Sequence, residues 1–415
     1  PSGNSAPSPG PARKNANKTS LMKIRKITLK NWMNYKNFSA EIRHDRVFVI
    51  GANASGKSNL LDAFRFLRDV ALPAGIRPSG GGLQKAVNDR GGLKHLRCLN
   101  ARQDPEILLG IELEASASER WHYILGFKGE GQGSNRVIIS QEIVNKITNG
   151  KSEGILKRPD TIDARDHDRL TQTHLELTNS NEKFRDIAHY FSETTYLHLV
   201  PQLLKFANLI GGNTIERDPF GQGFLQRVAA TSAKVRDSRL HRIQKVLSTV
   251  VPQFAEFKFQ KDPITGLPHI EARFNHWRPK AGWQRENQLS DGTLRLIGLL
   301  WSLMEGNSLL LLEEPELSLN EEIVRSLPKL ISGIQRLSKN TGRQVIITTH
   351  SEAMLSDASI PQEGILRIRP GKNGTETMPV TEEENIMLQS GIPVGEVLLK
   401  PTAPKEASQM LLALK

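Results

Sequence analysis

The chain is constrained most by the stretch 47–59, which has the sequence VFVIGANASGKSN. Its four leading apolar residues predict a buried strand. A run compatible with a helix, residues 60–70, follows the stretch. Between the predicted strand and helix, the spacing G-x-x-x-x-G-K-S is typical of a phosphate-binding loop, or P-loop. The residues that carry this spacing are Gly51, Gly56, Lys57 and Ser58.

The chemistry of phosphate binding explains the residue types in this loop. Backbone N–H groups must wrap a polyphosphate at close range, which glycine permits because it has no side chain. The following helix points its positive N-terminus at the same anion. We expect Lys57 to reach the β- and γ-phosphates of a nucleotide and the Ser58 hydroxyl to bind Mg²⁺. The residues expected to contact the nucleotide are Gly51, Asn53, Ser55, Gly56, Lys57, Ser58 and Asn59.

Composition narrows the class of protein that carries this loop. The chain has 415 residues, enough for one large domain or two modest ones, and 38% of them are hydrophobic. The formal net charge of +12 fits an anionic partner such as nucleic acid, and it fits a merely basic soluble protein equally well. The single cysteine, Cys98, excludes an intramolecular disulfide and a cysteine-based zinc site. No apolar run approaches the ~20 residues of a membrane span, and no signal-peptide pattern begins the chain. We therefore expect a cytoplasmic protein with no membrane partner.

The first part of the chain predicts a disordered tail followed by a β-rich lobe. Residues 1–21 are rich in Pro, Ser, Gly and Asn, a composition typical of disorder. Residues 22–147 form the expected N-terminal lobe, with the P-loop and an antiparallel β subdomain. Glycine-rich segments within 73–97 are interpreted as connections rather than as part of the nucleotide pocket. The expected strands are Lys23–Lys30, Phe38–Ile42, Val47–Ile50, Glu106–Glu114, Trp121–Phe127 and Arg136–Ile147.

The middle of the chain, residues 148–250, predicts a mostly helical insertion. Apolar residues at helical spacing over 184–191 predict a short amphipathic helix, and residues 194–200 predict a strand. A longer helix is expected over 224–250, with a break near Asp237. For its basic face two interpretations stay open, a nucleic-acid surface and a solvated helix face. The basic residues of this face are Arg227, Lys234, Arg236, Arg239, Arg242 and Lys245.

Residues 251–370 form the expected C-terminal lobe, which begins with a hairpin over 254–274. Further on, a helix is predicted to start at the sequence Ser290, Asp291 and Gly292. That start brings a hydroxyl, backbone N–H groups and a helix N-terminus together, which is a second feature suited to phosphate. On its own this sequence is only a good helix cap.

Two strand ends in this lobe supply candidate catalytic groups. The apolar strand 308–312 is followed by Glu313 and Glu314, and carboxylates at such a strand end face the crevice beside the P-loop. We expect Glu313 to hold Mg²⁺ and Glu314 to polarise the water that attacks the γ-phosphate. The strand 345–349 is followed by His350. Two interpretations of His350 stay open, a hydrogen-bond partner of the γ-phosphate or water and a surface histidine.

The order of these motifs resembles a known family. Over residues 22–370 the chain is similar to the ABC-type ATPase heads of the SMC, RecF and OLD group. The nearest likeness is to the compact predicted AAA-family ATPases of prokaryotic anti-phage defence systems. The resemblance rests on the P-loop, on LSDGT at 289–293, on EEPE at 313–316 and on TTHS at 348–351. It implies an α/β fold, an ABC-type P-loop ATPase head with a mixed or parallel core sheet, an antiparallel β subdomain and a small helical insertion.

The resemblance also implies a role for each motif. In such families the signature motif, here Leu289–Thr293, contacts the γ-phosphate of ATP held by a second subunit, so two heads close around two nucleotides. Glu313 then takes the position of the Walker B acid, Glu314 that of the catalytic base and His350 that of the switch histidine. ATP and Mg²⁺ are the implied cofactors. The signature residues expected at the nucleotide are Ser290, Asp291 and Gly292.

Three features depart from the family's pattern. The Walker B acid, Glu313, is one methylene longer than the commoner aspartate, which changes the metal geometry and predicts slow hydrolysis. The glutamine of the Q-loop has two weak candidates, Gln141 and Gln202. Nothing matches the C-terminal TOPRIM nuclease of the OLD family. We interpret residues 371–415 as a lid or a docking segment, with docking favoured.

Together, the motifs and the resemblance predict a Mg-ATP-hydrolysing homodimer or higher homo-oligomer. The resemblance alone implies its role as the sensor or regulatory subunit of a prokaryotic anti-phage defence complex. In that role it would control a separate effector, a nuclease or toxin. Two alternatives stay open. One is a DNA repair or recombination ATPase that acts directly on DNA, and the other is a non-hydrolysing assembly scaffold in which ATP is structural.

Overall fold

The computed structural model describes residues 22–73, 80–101, 103–131, 134–207, 220–275, 282–337 and 342–402. The predicted disordered tail, residues 1–21, and the end of the C-terminal segment, residues 403–415, lie outside the described residues. Two six-stranded sheets and one three-stranded sheet form the scaffold of the described part. No helix in that part is long and apolar enough to cross a bilayer.

The sheet that carries the P-loop is mostly parallel. With strands numbered along the chain, it contains β3 (Arg46–Ile50), β8 (Thr195–Leu197), β12 (Leu310–Glu313), β13 (Val345–Thr348), β14 (Ile365–Gly371) and β15 (Gly374–Thr377). Their order across the sheet is β15-β14-β3-β13-β12-β8, and only β15 runs antiparallel to its neighbour. The predicted mixed or parallel core sheet is therefore confirmed. The carboxyl ends of β3, β12 and β13 meet at one edge, where ligands bind in such sheets.

Successive residues of β3 enter different cores. Val47 and Val49 pack in the core shared with the antiparallel sheet, whereas Phe48 and Ile50 pack in the core beneath the C-terminal helices. All four are at most 3% exposed. A strand covered on both faces needs a continuous apolar run rather than an alternating one. This explains why VFVI precedes the P-loop.

The second large sheet is antiparallel, as predicted. It contains β1 (Lys23–Trp32), β2 (Tyr35–Glu41), β4 (Ile107–Ser116), β5 (Glu119–Gly131), β6 (Ser134–Thr148) and β7 (Lys151–Arg158). Their order is β2-β1-β4-β5-β6-β7. The predicted hairpin forms the small sheet, with β9 (Phe254–Lys261), β10 (Pro268–Phe274) and β11 (Gln284–Arg285).

The helices cover the faces of the parallel sheet. In chain order they are α1 (Lys57–Ala71), α2 (Leu83–Asn88), α3 (Leu93–Leu96), α4 (Arg185–Ser192), α5 (Pro201–Lys205), α6 (Phe224–Ala230), α7 (Ala233–Val250), α8 (Asp291–Met304), α9 (Glu321–Leu337) and α10 (Glu382–Gln389). Helix α1 buries Leu61 and Phe64 in the core shared with the antiparallel sheet. Helix α8 buries Ile297 and Trp301 in the other core. The two phosphate-related helices thus lie on opposite faces of the sheet.

The structure differs from the sequence prediction in the middle of the chain. Residues 148–250, expected to be mostly helical, also contain β7, which was not predicted. Strand β8 lies within the strand predicted over 194–200 and is an edge strand of the core sheet. The helix expected over 224–250 breaks at residues 231–232, not near Asp237. Thr231 and Ser232 have non-helical backbones, with ψ values of 136° and 142°. Serine and threonine favour this conformation at a helix start.

The described part of the C-terminal segment belongs to the head itself. Strand β15 pairs with β14, and the Arg367 guanidinium on β14 forms an ion pair of 2.7 Å with Glu384 on α10. Val394 and Leu398 are buried in the core beneath the C-terminal helices. The part of the segment up to residue 402 is therefore packed onto the ATPase lobe.

Candidate nucleotide-binding site

The P-loop joins β3 to α1 and is pressed tightly against its neighbours. A Cβ on Gly56 would lie 2.2 Å from the Asn34 amide nitrogen, and the φ of Gly56 is +102°. A Cβ on Gly51 would lie 2.4 Å from the carbonyl oxygen of Ile368. Only glycine fits at either position. The G-x-x-x-x-G spacing is thus required by packing as well as by phosphate approach.

A polar cluster that the sequence did not indicate holds the loop from behind. The Asn34 amide donates to the Ser55 carbonyl at 3.3 Å and to the Thr375 hydroxyl at 2.5 Å, and it accepts from the Asn59 amide at 2.8 Å. The Thr375 hydroxyl donates to the same Ser55 carbonyl at 2.7 Å. The Tyr35 hydroxyl donates to the Gly56 carbonyl at 2.8 Å. The turn between β1 and β2 and the strand β15 therefore fix the conformation of the loop.

The Lys57 ammonium group lies folded over the loop. It donates to the carbonyl oxygens of Gly51 at 3.1 Å and Ala52 at 3.2 Å. Burial lowers the pKa of Lys57, and the nearby carboxylates of Glu314 and Glu313 oppose that shift. The cation therefore makes hydrogen bonds to neutral oxygens beside two acidic residues. An incoming phosphate would offer it a stronger partner.

The two residues predicted to hold Mg²⁺ are in contact. The Ser58 hydroxyl, at the start of α1, donates to Oε1 of Glu313 at the end of β12. The other carboxylate oxygen, Oε2, accepts from the Tyr196 hydroxyl. The described residues contain no group of three or more His, Cys, Asp or Glu side chains that could hold a metal. A serine and one carboxylate nevertheless fit Mg²⁺, because this ion keeps water and phosphate oxygens as most of its ligands.

Glu314 and His350, the predicted base and switch histidine, also lie together. Glu314 has a φ of 43°, in the left-handed region, and its N–H donates to the Thr348 carbonyl at 3.0 Å. Its Oε1 is 3.5 Å from Nε2 of His350. Burial and the Lys57 cation lower the pKa of His350, and Glu314 opposes the shift. The strained backbone at Glu314 turns its carboxylate away from the strand and towards this histidine.

Glu316 is tied into the same edge. Its Oε1 accepts from the Thr349 hydroxyl at 2.6 Å and from the His350 N–H at 3.3 Å. Burial raises the pKa of Glu316. In the structure Glu316 connects the loop after β12 to the residues after β13.

Two clefts flank the P-loop. The first has a volume of about 540 Å³ and lies where Glu314 and His350 meet. The C-terminal segment contributes to its wall. The residues that line this cleft are Ala52, Asn53, Glu314, Glu316, Leu317, His350, Glu352, Leu399, Lys400 and Thr402.

The second cleft has a volume of about 610 Å³ and lies beside Ala54 and Asn59. Lys94 and His95 of α3 contribute to its wall. Both residues follow the glycine-rich segments that the sequence predicted to be connections.

The signature residues lie against helix α5 and the loop after β12. Ser290 is exposed, caps α8, and accepts from the Thr293 N–H at 3.2 Å. A Cβ on Gly292 would lie 2.7 Å from the Ser318 carbonyl. The Asp291 carboxylate accepts from the Gln202 amide at 2.7 Å and from the Lys205 ammonium at 2.6 Å. Of the two Q-loop candidates, Gln202 thus contacts the signature motif.

The other Q-loop candidate, Gln141, and two arginines of the basic helix face contact other residues of the fold. The Gln141 amide donates to Glu106 in the antiparallel sheet at 3.0 Å. On the basic face, the Arg236 and Arg239 guanidinium groups lie over the rings of Phe259 and Trp301, at 4.2 and 5.0 Å. The exposed members of that face are Lys234, Arg242 and Lys245.

Sequence reasoning missed the contribution of β8 to the site. Tyr196 lies on this strand, and the His198 ring nitrogen Nδ1 is 3.2 Å from the Glu313 carbonyl oxygen. A signal was present, since both residues belong to the strand predicted over 194–200. This signal was not sufficient to predict contacts with Glu313, because the sequence does not show that β8 lies next to β12.

The fold and this site together define an ABC-type P-loop ATPase head. Two solved structures share the fold. One, an Smc head bound to the C-terminal winged-helix domain of ScpA, has a TM-score of 0.51 and 14% identity, and the match covers 87% of this chain and 99% of that one. The other, an Smc head with an extended coiled coil bound to the C-terminal domain of ScpA, comes from Pyrococcus furiosus. Its TM-score is 0.50 with 13% identity, and the match covers 89% of this chain and 99% of that one.

The family is given by a match over residues 46–356. The chain belongs to the AAA_21 family, described as AAA domain, putative AbiEii toxin, type IV TA system. No curated protein matches the chain.

Proposed function

We propose that this protein is an Mg-ATP-hydrolysing ATPase that closes as a homodimer around ATP in the prokaryotic cytoplasm. There it serves as the sensor or regulatory subunit of an anti-phage defence complex and controls a separate effector. The observation that carries the ATPase proposal is the convergence of Ser58, Glu313, Glu314 and His350 at the P-loop. A P-loop alone binds phosphate, whereas this set adds the acidic groups that hydrolysis needs.

Each residue of the site has one task in this proposal. Lys57 exchanges the loop carbonyl oxygens for the β- and γ-phosphates of ATP. Ser58 and Glu313 hold Mg²⁺, which when bound neutralises charge on the phosphate oxygens. Glu314 polarises the attacking water as general base. His350 is neutral, since its pKa is lowered, and it hydrogen-bonds the γ-phosphate or that water.

The proposed dimer supplies the remaining contact with ATP. Ser290 is exposed at the N-terminus of α8, and its hydroxyl hydrogen-bonds within its own turn to Thr293. A helix N-terminus with an exposed hydroxyl suits an anion that another molecule brings to it. In the proposed assembly that anion is the γ-phosphate of ATP on a second copy. Ser290, Asp291 and Gly292 then complete each nucleotide site.

ATP binding, turnover and oligomeric state of two variants test the ATPase proposal. We expect Lys57→Ala to lose ATP binding and ATP-dependent dimerisation. We expect Glu314→Gln to bind ATP and dimerise, with turnover lowered by about 10²–10⁴-fold, the usual contribution of a general base. Turnover of Glu314→Gln at the wild-type rate would remove Glu314 from the mechanism. The scaffold alternative predicts instead that Glu314→Gln keeps biological activity whereas Lys57→Ala loses it.

Copurification with the products of neighbouring genes tests the regulatory role. Recovery of a nuclease or toxin supports the proposal, and recovery of no effector favours the DNA-repair alternative. That alternative predicts ATP-dependent DNA binding by the purified protein alone. The exposed residues Lys234, Arg242 and Lys245 of α7 are the candidate contacts for nucleic acid.

The family description supports a second candidate function, in which this chain is itself a toxin. Expression of the chain alone distinguishes the two. Growth arrest that requires Lys57 but no other gene product would favour the toxin. Arrest only when a neighbouring gene is present would favour the regulatory subunit.

A further inference from the structure

The carboxylate that the proposed function assigns to Mg²⁺ has a second partner outside the sequence motifs. Tyr196 lies on β8, which pairs in parallel with β12, and its hydroxyl donates to Oε2 of Glu313. The Ser58 hydroxyl occupies Oε1 of the same carboxylate. The two carboxylate oxygens of Glu313 therefore have different hydrogen-bond donors. One faces the P-loop serine, and the other faces a tyrosine from the edge of the sheet.

Tyr196 is itself held in place. It is 7% exposed, and the Arg65 guanidinium of α1 lies 4.2 Å from the centre of its ring. A cation over an aromatic face attracts it electrostatically and favours this orientation. Two residues further along, His198 approaches the Glu313 carbonyl oxygen at 3.2 Å. Residues on the edge strand and directly after it thus contact both the side chain and the backbone of Glu313.

The length of the Glu313 side chain explains why a contact that holds it would favour metal binding. Glutamate has one more rotatable bond than the aspartate that is commoner at the Walker B position, so it loses more conformational entropy when fixed. A metal ligand that must be ordered at the moment of binding binds the metal less tightly. Hydrogen bonds from outer residues to ligating carboxylates remove this disadvantage.

We propose that Tyr196 is a positioning residue for the metal, which holds Oε2 of Glu313 so that Oε1 and the Ser58 hydroxyl face the Mg²⁺ position. The tyrosine thereby compensates for the additional methylene of a Walker B glutamate. This inference rests on the proposed function, because it concerns the metal of that site. It adds a residue that lies in none of the four sequence motifs.

The variant Tyr196→Phe tests the proposal, because it removes the hydroxyl and keeps the ring. Mn²⁺ serves as the probe, and its binding is measured by electron paramagnetic resonance with a non-hydrolysable ATP analogue present. We expect the Kd for Mn²⁺ to rise about tenfold, at the low end of the effects of such outer contacts. Affinity for the analogue in EDTA, which depends on the P-loop, should stay unchanged.

Tyr123→Phe is the matched control. The Tyr123 hydroxyl donates to Glu142 at 3.2 Å in the antiparallel sheet, so this variant also removes a bond between tyrosine and glutamate. We expect it to leave the Kd for Mn²⁺ at the wild-type value, whatever it does to stability. An equal loss of Mn²⁺ affinity in both variants would overturn the positioning role, since it would report a general loss of structure.

A double variant makes the test sharper. Glu313→Asp withdraws the carboxylate by ~1.5 Å, the length of one carbon–carbon bond, so it no longer reaches the Tyr196 hydroxyl. In that background Tyr196→Phe should change the Kd for Mn²⁺ less than twofold. An unchanged Kd in the single variant Tyr196→Phe overturns the inference. Absence of Mn²⁺ binding by the wild-type protein with the analogue would instead overturn the proposed function.

Discussion

Two clusters of buried charge, one at the paired strands β6 and β7 of the antiparallel sheet and one at the edge of the parallel sheet, are built differently. In the first, Arg158 is 2% exposed. Its guanidinium donates to Asp163 at 2.9 and 3.0 Å and to Glu142 at 3.1 Å. It also donates to the carbonyl oxygens of Arg169 and Gln172, at 2.8 and 2.9 Å. The cation is thus surrounded by oxygen acceptors on every side.

The carboxylates of this first cluster also accept several hydrogen bonds each. Glu142 accepts from the Tyr123 hydroxyl at 3.2 Å and from the N–H groups of His174 and Leu175, at 2.9 and 3.1 Å. Burial works to raise the pKa of Asp163, but hydrogen bonds from Arg158 and from main-chain and side-chain neighbours hold it well below its usual range. Because these groups already make hydrogen bonds to one another, few donors or acceptors of the network remain for a ligand.

At the nucleotide site, by contrast, some buried polar groups lack a hydrogen-bond partner among the described residues. The buried hydroxyl of Ser55 has no hydrogen-bond partner among the described residues, and neither do Nε and Nη1 of Arg295, a residue that is only 7% exposed. Burial lowers the pKa of both Arg295 and Lys57. Unsatisfied buried groups are costly and are retained mainly where function uses them. The two clusters therefore differ in how fully their buried polar groups are hydrogen-bonded.

The largest expected effect comes from breaking the satisfied cluster. Arg158→Met leaves Glu142 buried without its cation and leaves Asp163 with only the Arg169 guanidinium, at 3.1 Å. Loss of one partner from a buried ion pair costs about 3–5 kcal/mol. Urea denaturation followed by circular dichroism should show that loss in the free energy of unfolding.

The corresponding change at the nucleotide site is the control. Lys57→Met also removes a buried cation, but the lowered pKa of Lys57 means that its charge is disfavoured in the folded protein. We expect a free energy of unfolding within about 1 kcal/mol of wild type. If both variants lost several kcal/mol, the distinction between the two clusters would not hold.

The same contrast explains how much could be predicted from sequence. The P-loop and Glu313 each follow four apolar residues, Glu314 comes next, and His350 follows the stretch VIITT, so local pattern alone placed these residues at strand ends. The parallel sheet then brings those ends together, which the resemblance to ABC-type heads implied. The mixed core sheet and the antiparallel subdomain were predicted correctly for this reason.

What could not be predicted depends on strand order and long-range contacts. Tyr196 reaches Glu313 only because β8 is the neighbour of β12, although more than one hundred residues separate them. Asn34 and Thr375 meet at the P-loop from opposite ends of the chain. No local spacing records such contacts, whereas the break at Ser232 had a local signal, a helix-capping residue, that we did not use.

An effect of intermediate size is expected from Glu176, a buried residue near Glu142 of the first cluster. It accepts hydrogen bonds from the Thr173 N–H and hydroxyl, at 2.6 and 3.1 Å. Burial raises its pKa from 4.5 to about 7. Because the folded pKa is raised, the stabilising contribution of the protonated group is complete below about pH 4.5 and is lost as pH rises through 7.

Glu176→Gln removes this titration and keeps an acceptor oxygen. The free energy of unfolding of wild type relative to Glu176→Gln should therefore fall by up to about 3 kcal/mol between pH 4.5 and pH 8. Taking the difference between the two proteins cancels the titration of His174, whose pKa burial lowers to about 4. A difference that stays constant with pH would show that Glu176 is ionised in the folded protein throughout.

The smallest effects on stability are expected on the basic face of α7, where some cations have a partner and others are exposed. The Arg239 guanidinium lies 5.0 Å from the centre of the Trp301 ring, so Arg239→Gln should cost about 1 kcal/mol of stability through the lost cation–π contact. Lys245 is exposed, and Lys245→Gln should change stability by less than about 0.5 kcal/mol. If α7 binds nucleic acid, Lys245→Gln should also lower the slope of log Kd against log salt by about one. An unchanged slope, measured by fluorescence anisotropy with a DNA duplex, would leave the exposed lysine as a solvated residue of the helix.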